Sequence, residues 1–335
     1  MNFCFDMIVY CILLFAIFFS CKRDATLEQH EIIQRLNNMR GIFAVQIVIG
    51  HVVRYEKSFL FPLGKFMIIS VAFFFFISAW GMVYSLENKD NYLDSFLRNK
   101  VGYILELVAI SFLFGYLVDC LVPISLNYYK VDGSFLKTVL KMTNWYLWEL
   151  ILFYFLFYLC YKYLRKYAAI IITLITALTV MILYWCGWLE QWYASSLAFP
   201  LGLLWGSHCE RIMKYMNTFK GHVTTLVLVA LGLGGQCLGE DSLIGMVWLR
   251  NTICIAGILI LVYICQYVKI NNNILSFLGF YSTEIYLFQF VYLSLFSQMN
   301  IHYAWKVILT LGLTLISAII LHPLVLWLRK LIVCH

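Results

Sequence analysis

Arg40 and His51 are the two residues whose types and spacing first suggest chemistry. They stand eleven residues apart in the otherwise apolar segment RGIFAVQIVIGH. In a helix, this spacing places both side chains within about 20° on one face and about 16 Å apart along the axis. An arginine can bind an anion, and a histidine can exchange a proton near neutral pH. Because a charge inside a bilayer costs about 3 kcal/mol, this polar face should meet protein or water.

The composition of the chain explains why such a pair is costly. Of the 335 residues, 63% are hydrophobic and 12% are charged, against about half and about a quarter in soluble domains. Continuous apolar stretches long enough to cross about 30 Å of hydrocarbon recur along the whole chain. They do not alternate as barrel strands do. We therefore predict an all-α, polytopic transmembrane helix bundle.

Eleven membrane-spanning helices are predicted from these apolar stretches. They cover residues 4–20, 41–54, 66–86, 103–122, 144–161, 168–187, 196–212, 222–238, 246–266, 274–297 and 305–328. The second is short for a span and is expected to begin as early as Asn37. The first has no positive charge before its apolar run, which disfavours a cleaved signal peptide.

The distribution of basic residues predicts the orientation in the membrane. One set of alternate connections carries 16 of the 24 Lys and Arg residues, and the positive-inside rule makes that set cytoplasmic. The amino terminus is then outside, the carboxyl terminus inside, Arg40 at the cytoplasmic end of its helix and His51 nearer the far side. The basic residues of this set are Lys22, Arg23, Arg35, Arg40, Lys89, Arg98, Lys100, Lys162, Arg165, Lys166, Arg211, Lys214, Lys220, Lys269, Arg329 and Lys330.

Further ionisable residues fall inside or at the rim of the predicted spans. Each alone is explained equally well by an interfacial position or an interhelical hydrogen bond, but together they could line a cavity. They are Glu106, Glu149, His208, Arg250, Glu284 and His322. The eleven cysteines contain no CxxC pair, and no basic cluster is interleaved with aromatics. We therefore expect neither a bound metal nor a nucleic-acid partner.

Three aromatic segments carry small or polar residues at helical spacing, where they would pack against neighbouring helices or face a cavity. They are FFFFISAWGMVYS at 73–85 with Ser78, Ala79 and Gly81, NWYLWELILFYFLF at 144–157 with Trp145 and Glu149 on one face, and FLGFYSTEIYLFQFVY at 277–292 with Ser282, Tyr286 and Gln289 on one face.

Taken with RLNNMRGIFAVQIVIGH at 35–51, these segments resemble in order and spacing the acyltransferase family 3 of bacterial membrane proteins. Members of that family acylate sugars of cell-surface polysaccharides and related glycans. The corresponding landmarks here are Arg40 and His51, the ISAWG step, the basic loop Arg98–Asn99–Lys100, the pair Trp145 and Tyr154, and the run from Ser282 to Leu287. The resemblance covers roughly residues 35–330.

The resemblance implies a ten-helix core preceded by one extra helix. Residues 1–34 would form that extra helix and a basic connector, and residues 35–335 the acyltransferase domain. It also implies a multi-pass protein of the bacterial cytoplasmic (inner) membrane, among membrane lipids. No cofactor is expected to be resident; acyl-CoA, expected to be acetyl-CoA, would be a co-substrate, and a glycan or lipid-linked saccharide the acceptor.

The resemblance also implies roles for individual residues. His51 would be the general base, or itself accept the acyl group, and Glu149 would orient its ring. Arg40, Arg98 and Lys100 would bind the anionic groups of acyl-CoA. The substrate cavity would be lined by Asn37, Ser78, Trp145, Tyr154, Ser282, Glu284, Tyr286 and Gln289.

Two departures from the family pattern leave other functions open. Tyr103 and Glu106 stand where relatives commonly have a second Arg and a Pro, and Gln289 stands where they commonly have a His. A glutamine can form hydrogen bonds but cannot titrate. One alternative is therefore a relative without catalysis. The other is a transporter or flippase for a glycan precursor, which would be expected to show inverted repeats and broken helices.

Overall fold

Thirteen α-helices and one short two-stranded ribbon make up the described part of the protein. The computed structural model describes residues 2–18, 21–26, 28–54, 56, 58–122, 145–237, 247, 250–270 and 272–333. The prediction of an all-α helix bundle is confirmed for this part of the chain. The expected span ends at residues 20, 144, 238 and 246 lie outside it.

The helices occur in the following order along the described part of the chain. They are α1 (Asn2–Phe18), α2 (Gln29–Val53), α3 (Phe61–Lys65), α4 (Met67–Asn88), α5 (Tyr103–Leu121), α6 (Trp145–Tyr163), α7 (Ala168–Trp185), α8 (Ala198–Met216), α9 (Phe219–Cys237), α10 (Arg250–Tyr267), α11 (Asn273–Phe280), α12 (Ser282–Ser297) and α13 (Tyr303–Val333). A π-helical turn, Arg98–Gly102, leads directly into α5. The strands are β1 (Cys21–Arg23) and β2 (Val268–Ile270).

Six of the described helices are long and apolar enough to cross a membrane, and a seventh span results if the bent pair α11–α12 is one crossing. The six are α2, α4, α5 with its preceding turn, α7, α10 and α13. Shorter apolar stretches occur in α1 and α9. The protein is therefore a multi-pass membrane protein, and by length and composition fewer of its described helices qualify as spans than the eleven predicted.

Helix α2 begins much earlier than its apolar sequence predicts. It starts at Gln29 rather than near residue 37 or 41, so Arg40 lies near the middle of the helix and not at its start. The added turns are polar, but Arg35 is buried there and donates to the backbone oxygens of Asp24 and Cys265 at 2.6 and 3.1 Å. It also pairs with the Asp24 carboxylate at 2.8 Å. Such distant partners are not visible in the local sequence.

The two-stranded ribbon ties the chain after α1 to the chain after α10. Its strands are antiparallel, with Lys22 opposite Lys269. The backbone amide of Asp24 continues the contact by donating to the carbonyl oxygen of Tyr267. Two of the basic connections that the charge distribution groups together are therefore neighbours on one side of the bundle.

The span predicted over residues 274–297 is broken, which corrects the expectation of one continuous helix. α11 and α12 meet at Tyr281 and are bent by 67° relative to each other. Tyr281 has φ −91° and ψ 10°, outside the helical region, and the N-terminus of α11 is fixed by the Asn272 side chain, which accepts from the amides of Ile274 and Leu275. No Pro stands near the break, and Gly279 lies two residues before it at the end of α11.

Glycines let two pairs of helices pack with their backbones close together. A Cβ on Gly41 of α2 would lie 2.6 Å from Leu278 Cβ and 2.7 Å from the Leu275 carbonyl oxygen of α11. Gly202 of α8 meets α4 in the same way, against Phe76. Gly81, predicted to allow such an approach, has no described atom within 4 Å of its Cβ position. The close contact on α4 uses a different face of that helix.

We expect Gly41→Ala to destabilise the protein, since the new methyl group would push α11 away from α2. Overpacking of this kind costs about 1–3 kcal/mol. The matched control is Gly81→Ala, where the methyl group meets open space and alanine is the better helix former. Thermal unfolding in detergent, followed by size-exclusion chromatography, measures both. Equal melting temperatures for the two variants would contradict this account of the α2–α11 contact.

Helix α1 is held to the bundle by a buried carboxylate. Asp6 is fully buried and accepts hydrogen bonds from Ser58 Oγ, the Phe59 amide and the Tyr303 hydroxyl at 2.9, 2.9 and 2.8 Å. These donors belong to the connection after α2 and to the start of α13. α1 is thus docked at the end of α2 that carries His51.

Candidate functional site

A polar cavity of about 230 Å³ lies beside the break between α11 and α12. Its walls come from α2, α4, the Arg98–Gly102 turn, α5, α6 and both arms of the broken helix. The lining residues are Arg40, Phe74, Ser78, Lys100, Tyr103, Ile104, Tyr146, Leu150, Tyr154, Phe280, Ser282, Thr283 and Tyr286. Segments that are far apart in the chain therefore meet at one site.

The cavity brings together residues from each of the predicted motifs. Arg40 comes from the Arg-His helix, Ser78 from the aromatic segment, and Lys100 from the basic loop. The lining residues that the sequence predicted are Arg40, Ser78, Lys100, Tyr154, Ser282 and Tyr286. Arg98 lies in the same turn as Lys100 but is exposed and does not line the cavity.

Two cations face the cavity without a carboxylate partner among the described residues. Arg40 lies over the Phe74 ring, with Cζ 5.9 Å from the ring centroid, and its buried Nε has no described hydrogen-bond partner. Lys100 lies within electrostatic reach of Arg40 and Arg329. No described acidic side chain forms a salt bridge with Arg40 or Lys100. Like charges gathered in this way favour an anionic ligand, which would neutralise them.

The break in the helix adds a second favourable element for an anion. Ser282 begins α12, lines the cavity and is 2% exposed, and its Oγ has no described partner. The first turn of a helix has backbone N–H groups without intrahelical partners and carries the positive end of the helix dipole. The hydroxyl and the start of α12 therefore face the same space as Arg40.

The cavity face of α6 differs from the face that the sequence predicted. Tyr146, Leu150 and Tyr154 line the cavity at intervals of four residues. Glu149 is 7% exposed and interacts with Ser196, and the Trp145 ring lies 6.4 Å from that of Trp192. Tyr154 is thus the only one of the three predicted α6 residues that reaches the cavity.

His51 lies close to the cavity but does not line it. Its ring contacts Phe290, with centroids 5.5 Å apart, and Phe290 contacts the cavity residue Tyr286 at 5.8 Å. The nearby charge that acts on His51 is that of Arg54, whereas Glu149 interacts with Ser196. Within the described contacts, Glu149 does not orient the His51 ring.

Three further predicted residues have structural contacts. Glu284 is fully buried and accepts from the Tyr103 hydroxyl at 2.8 Å and pairs with His322 at 2.7 Å. Gln289 is also fully buried, and its Nε2 donates to the Tyr286 carbonyl oxygen of the same helix at 3.0 Å. The carbonyl oxygen of Asn37 faces Gly279 at the contact between α2 and α11.

Several cavity residues were not predicted as site residues. Tyr103 was noted only as a departure from the family pattern, yet it lines the cavity directly after the basic turn. Tyr146 stands eight residues before Tyr154, so helical periodicity places the two on the same side of α6 and could have indicated Tyr146 as a cavity residue. Thr283 and Phe280 reach the cavity because the helix breaks between them, which the sequence does not indicate.

A multi-pass helix bundle with a positively charged, hydroxyl-rich cavity defines a membrane protein with a polar site among its helices. Residues 33–323 match the family model Acyl_transf_3, described as an acyltransferase domain. Because this match covers most of the chain, the protein belongs to the acyltransferase family 3, and it is a membrane acyltransferase. Searches of curated proteins and of solved structures gave no match.

Proposed function

We propose that the protein is an integral-membrane O-acyltransferase that moves an acetyl group from acetyl-CoA to a sugar hydroxyl of a cell-envelope or exported polysaccharide. The observation that carries this proposal is the cavity in which Arg40 and Lys100 have no described carboxylate partner, in a chain of an acyltransferase family. Coenzyme A is an anionic donor that such cations can hold.

The donor would bind by its phosphates at Arg40 and Lys100. The planar guanidinium of Arg40 can donate two parallel hydrogen bonds to a phosphate, and Lys100 supplies a point charge beside it. Arg98, exposed in the same turn, would assist at the entrance. The Ser282 hydroxyl and the first turn of α12 would complete the anion site. Under the positive-inside rule this entrance is cytoplasmic, the side on which acyl-CoA is made.

The transfer itself requires one proton acceptor. The sugar hydroxyl attacks the thioester carbonyl, a C–O bond forms, and the C–S bond breaks so that coenzyme A leaves as a thiolate. The proton removed from the hydroxyl passes by way of the base to that thiolate. His51 is the proposed base, since a positioned imidazole contributes about 10²–10⁴ in rate. His51 lies on the far side of the Phe290 ring from the cavity residue Tyr286. The acceptor would therefore enter the site from the His51 side and the donor from the Arg40 side. Direct acylation of the imidazole is the covalent variant of this route.

The host membrane would be the bacterial inner membrane, with lipids around the bundle and a glycan or lipid-linked saccharide as acceptor. Acyl-CoA would be consumed as a co-substrate. Among the described residues, no group of three or more His, Cys, Asp or Glu side chains could hold a metal ion. The proposed chemistry uses only the groups named above.

The decisive experiment is acyl transfer by the purified protein in lipid nanodiscs, with radiolabelled acetyl-CoA and envelope glycan from the host. Label is expected to appear in the glycan as an alkali-labile ester. Mass spectrometry of surface glycans with and without the gene would identify the acyl group and the sugar. Absence of transfer and of donor turnover, together with unchanged glycans, would overturn the proposal.

The broken helix favours one second candidate function, transport of a glycan precursor. Discontinuous helices that line a polar cavity are a feature of secondary transporters, and the 67° break opens on such a cavity. A flippase would move a lipid-linked saccharide across proteoliposomes without consuming acyl-CoA. A relative without catalysis would do neither. The same preparation, assayed for both activities, separates the three.

A further inference from the structure

A chain of hydrogen-bonded polar side chains extends from the cavity wall to the buried Glu284. The Tyr103 hydroxyl donates to Glu284 Oε1 at 2.8 Å, and His322 Nδ1 lies 2.7 Å from the same oxygen. Glu284 is fully buried, and its other oxygen, Oε2, has no described hydrogen-bond partner. Of the three residues, only Tyr103 lines the cavity. Helices α5, α12 and α13 each contribute one member.

The hydrogen-bond donors and acceptors of Tyr103, Glu284 and His322 determine which ligand groups Tyr103 can bind. A carboxylate only accepts hydrogen bonds, whereas a phenol has one proton to donate and lone pairs that accept. Because the Tyr103 hydroxyl donates its one hydrogen bond to Glu284, its oxygen can act toward a ligand only as an acceptor. It is therefore suited to an N–H or O–H group of a ligand and unsuited to a phosphate. It differs in this respect from the neighbouring cations Arg40 and Lys100.

The Tyr103 ring is also fixed from the other side. Arg329 lies over the ring, with Cζ 5.4 Å from its centroid, and donates to Asn99 Oδ1 and the Asn99 carbonyl oxygen at 3.0 and 3.1 Å. The His322 ring is itself packed against Phe280 and Tyr281 at the helix break. The direction in which the Tyr103 oxygen points is thus set by groups that do not line the cavity, apart from Phe280.

We propose that Tyr103 is a donor-binding residue that accepts a hydrogen bond from an amide N–H in the uncharged arm of the acyl thioester, with Glu284 and His322 as its positioning residues. This inference rests on the proposed function and deepens it. Lys100 stands three residues before Tyr103, so the phosphates held by the cations and the amide held by Tyr103 occupy adjoining parts of the cavity. The site would thereby bind both the phosphates of the donor and the amide of its uncharged arm.

The experiment compares two donors that share the amide and differ in the phosphates. Acetyl-CoA carries both, whereas the acetyl thioester of N-acetylcysteamine carries an amide N–H and no phosphate. We expect Tyr103→Phe to raise KM about tenfold for both donors, as the loss of one hydrogen bond predicts, with kcat nearly unchanged. Arg40→Ala is expected to raise KM only for acetyl-CoA. Tyr103→Phe retains the ring beneath Arg329 but removes one hydrogen-bond donor from the buried Glu284, so a somewhat lower melting temperature is expected, and KM is measured well below the melting transition.

Variants of the two positioning residues separate positioning from folding. His322→Asn retains a side-chain N–H for Glu284 and should keep KM within about threefold, whereas His322→Phe removes the donor and should raise KM. Glu284→Gln should raise KM for both donors, since its amide can donate to the Tyr103 oxygen and compete with the ligand. Unchanged KM in Tyr103→Phe, or a Glu284→Gln variant with altered melting temperature and normal KM, would overturn the inference. Failure of the unmodified protein to use either donor would instead reject the proposed function.

Discussion

Arg40→Ala is expected to lower kcat/KM for acetyl-CoA by about 100-fold, mainly through KM. The guanidinium lies in the cavity wall over Phe74, its Nε is buried, and no described carboxylate competes for it. A hydrogen bond to a charged group contributes about 1.5–3 kcal/mol, which corresponds to about 10–150-fold in affinity. Initial rates against donor concentration, with the acceptor saturating, measure the change.

Two further variants make the Arg40 result specific. Arg40→Lys keeps the charge but lacks the planar fork, so an intermediate KM is expected. Lys214→Ala removes an exposed cation on α8 that lies 3.9 Å from Glu210 and does not line the cavity, and it should leave KM unchanged. If the two alanine variants behave alike, the effect of Arg40 is one of overall charge, and the proposed phosphate contact is wrong.

His51→Ala is expected to lower kcat by about 10²–10⁴ while KM for the donor changes little. This range is what a general base contributes, and the contact through Phe290 places the imidazole one aromatic ring beyond Tyr286. Loss of a base removes stabilisation of the transition state without removing a donor contact. Single-turnover transfer from acetyl-CoA to the glycan measures the step directly.

The matched control for His51 is on the same helix. His30 is exposed in the first turn of α2 and lies near Tyr84 rather than near the cavity, so His30→Ala should leave kcat unchanged. Trapping of a labelled acyl group on the protein would identify the covalent route, and its loss in His51→Ala would assign the residue. A His51→Ala protein with normal kcat would remove His51 from the mechanism.

The two predictions distinguish the middle of α2, where Arg40 lies, from its C-terminal end, where His51 lies, by their kinetic effects. Arg40 should act on donor binding and His51 on the chemical step. Their spacing of eleven residues separates the two side chains along the axis of α2, so each would contact a different part of the substrates. The sequence places both side chains on one face of the helix, and in the structure both are directed toward α12. Arg40 lines the same cavity as Tyr286, and the His51 ring contacts Phe290. What the sequence places wrongly is the start of α2, and with it the position of Arg40 along the helix.

Helical periodicity determined which motifs could share a site, but not the face each presents. In α6 the sequence indicated Trp145, Glu149 and Tyr154, yet only Tyr154 of these lines the cavity, together with the unpredicted Tyr146 and Leu150. A helix that is apolar nearly all round has no amphipathic signal to indicate its buried face. The choice is made by neighbours, here the aromatic contacts of Tyr146 with Phe75 and Tyr286 at 5.0 Å each.

The amino-acid sequence by itself determined that this protein is a multi-pass helix bundle, which segments carry its polar residues, and which family it resembles. These properties follow from composition and short-range spacing. Only the tertiary structure decided the break at Tyr281, the Tyr103–Glu284–His322 chain and which of the predicted cations line the cavity. The hydrogen-bonded chain and the cavity lining join residues remote in sequence, and a buried polar group finds its partners through packing rather than through its neighbours along the chain.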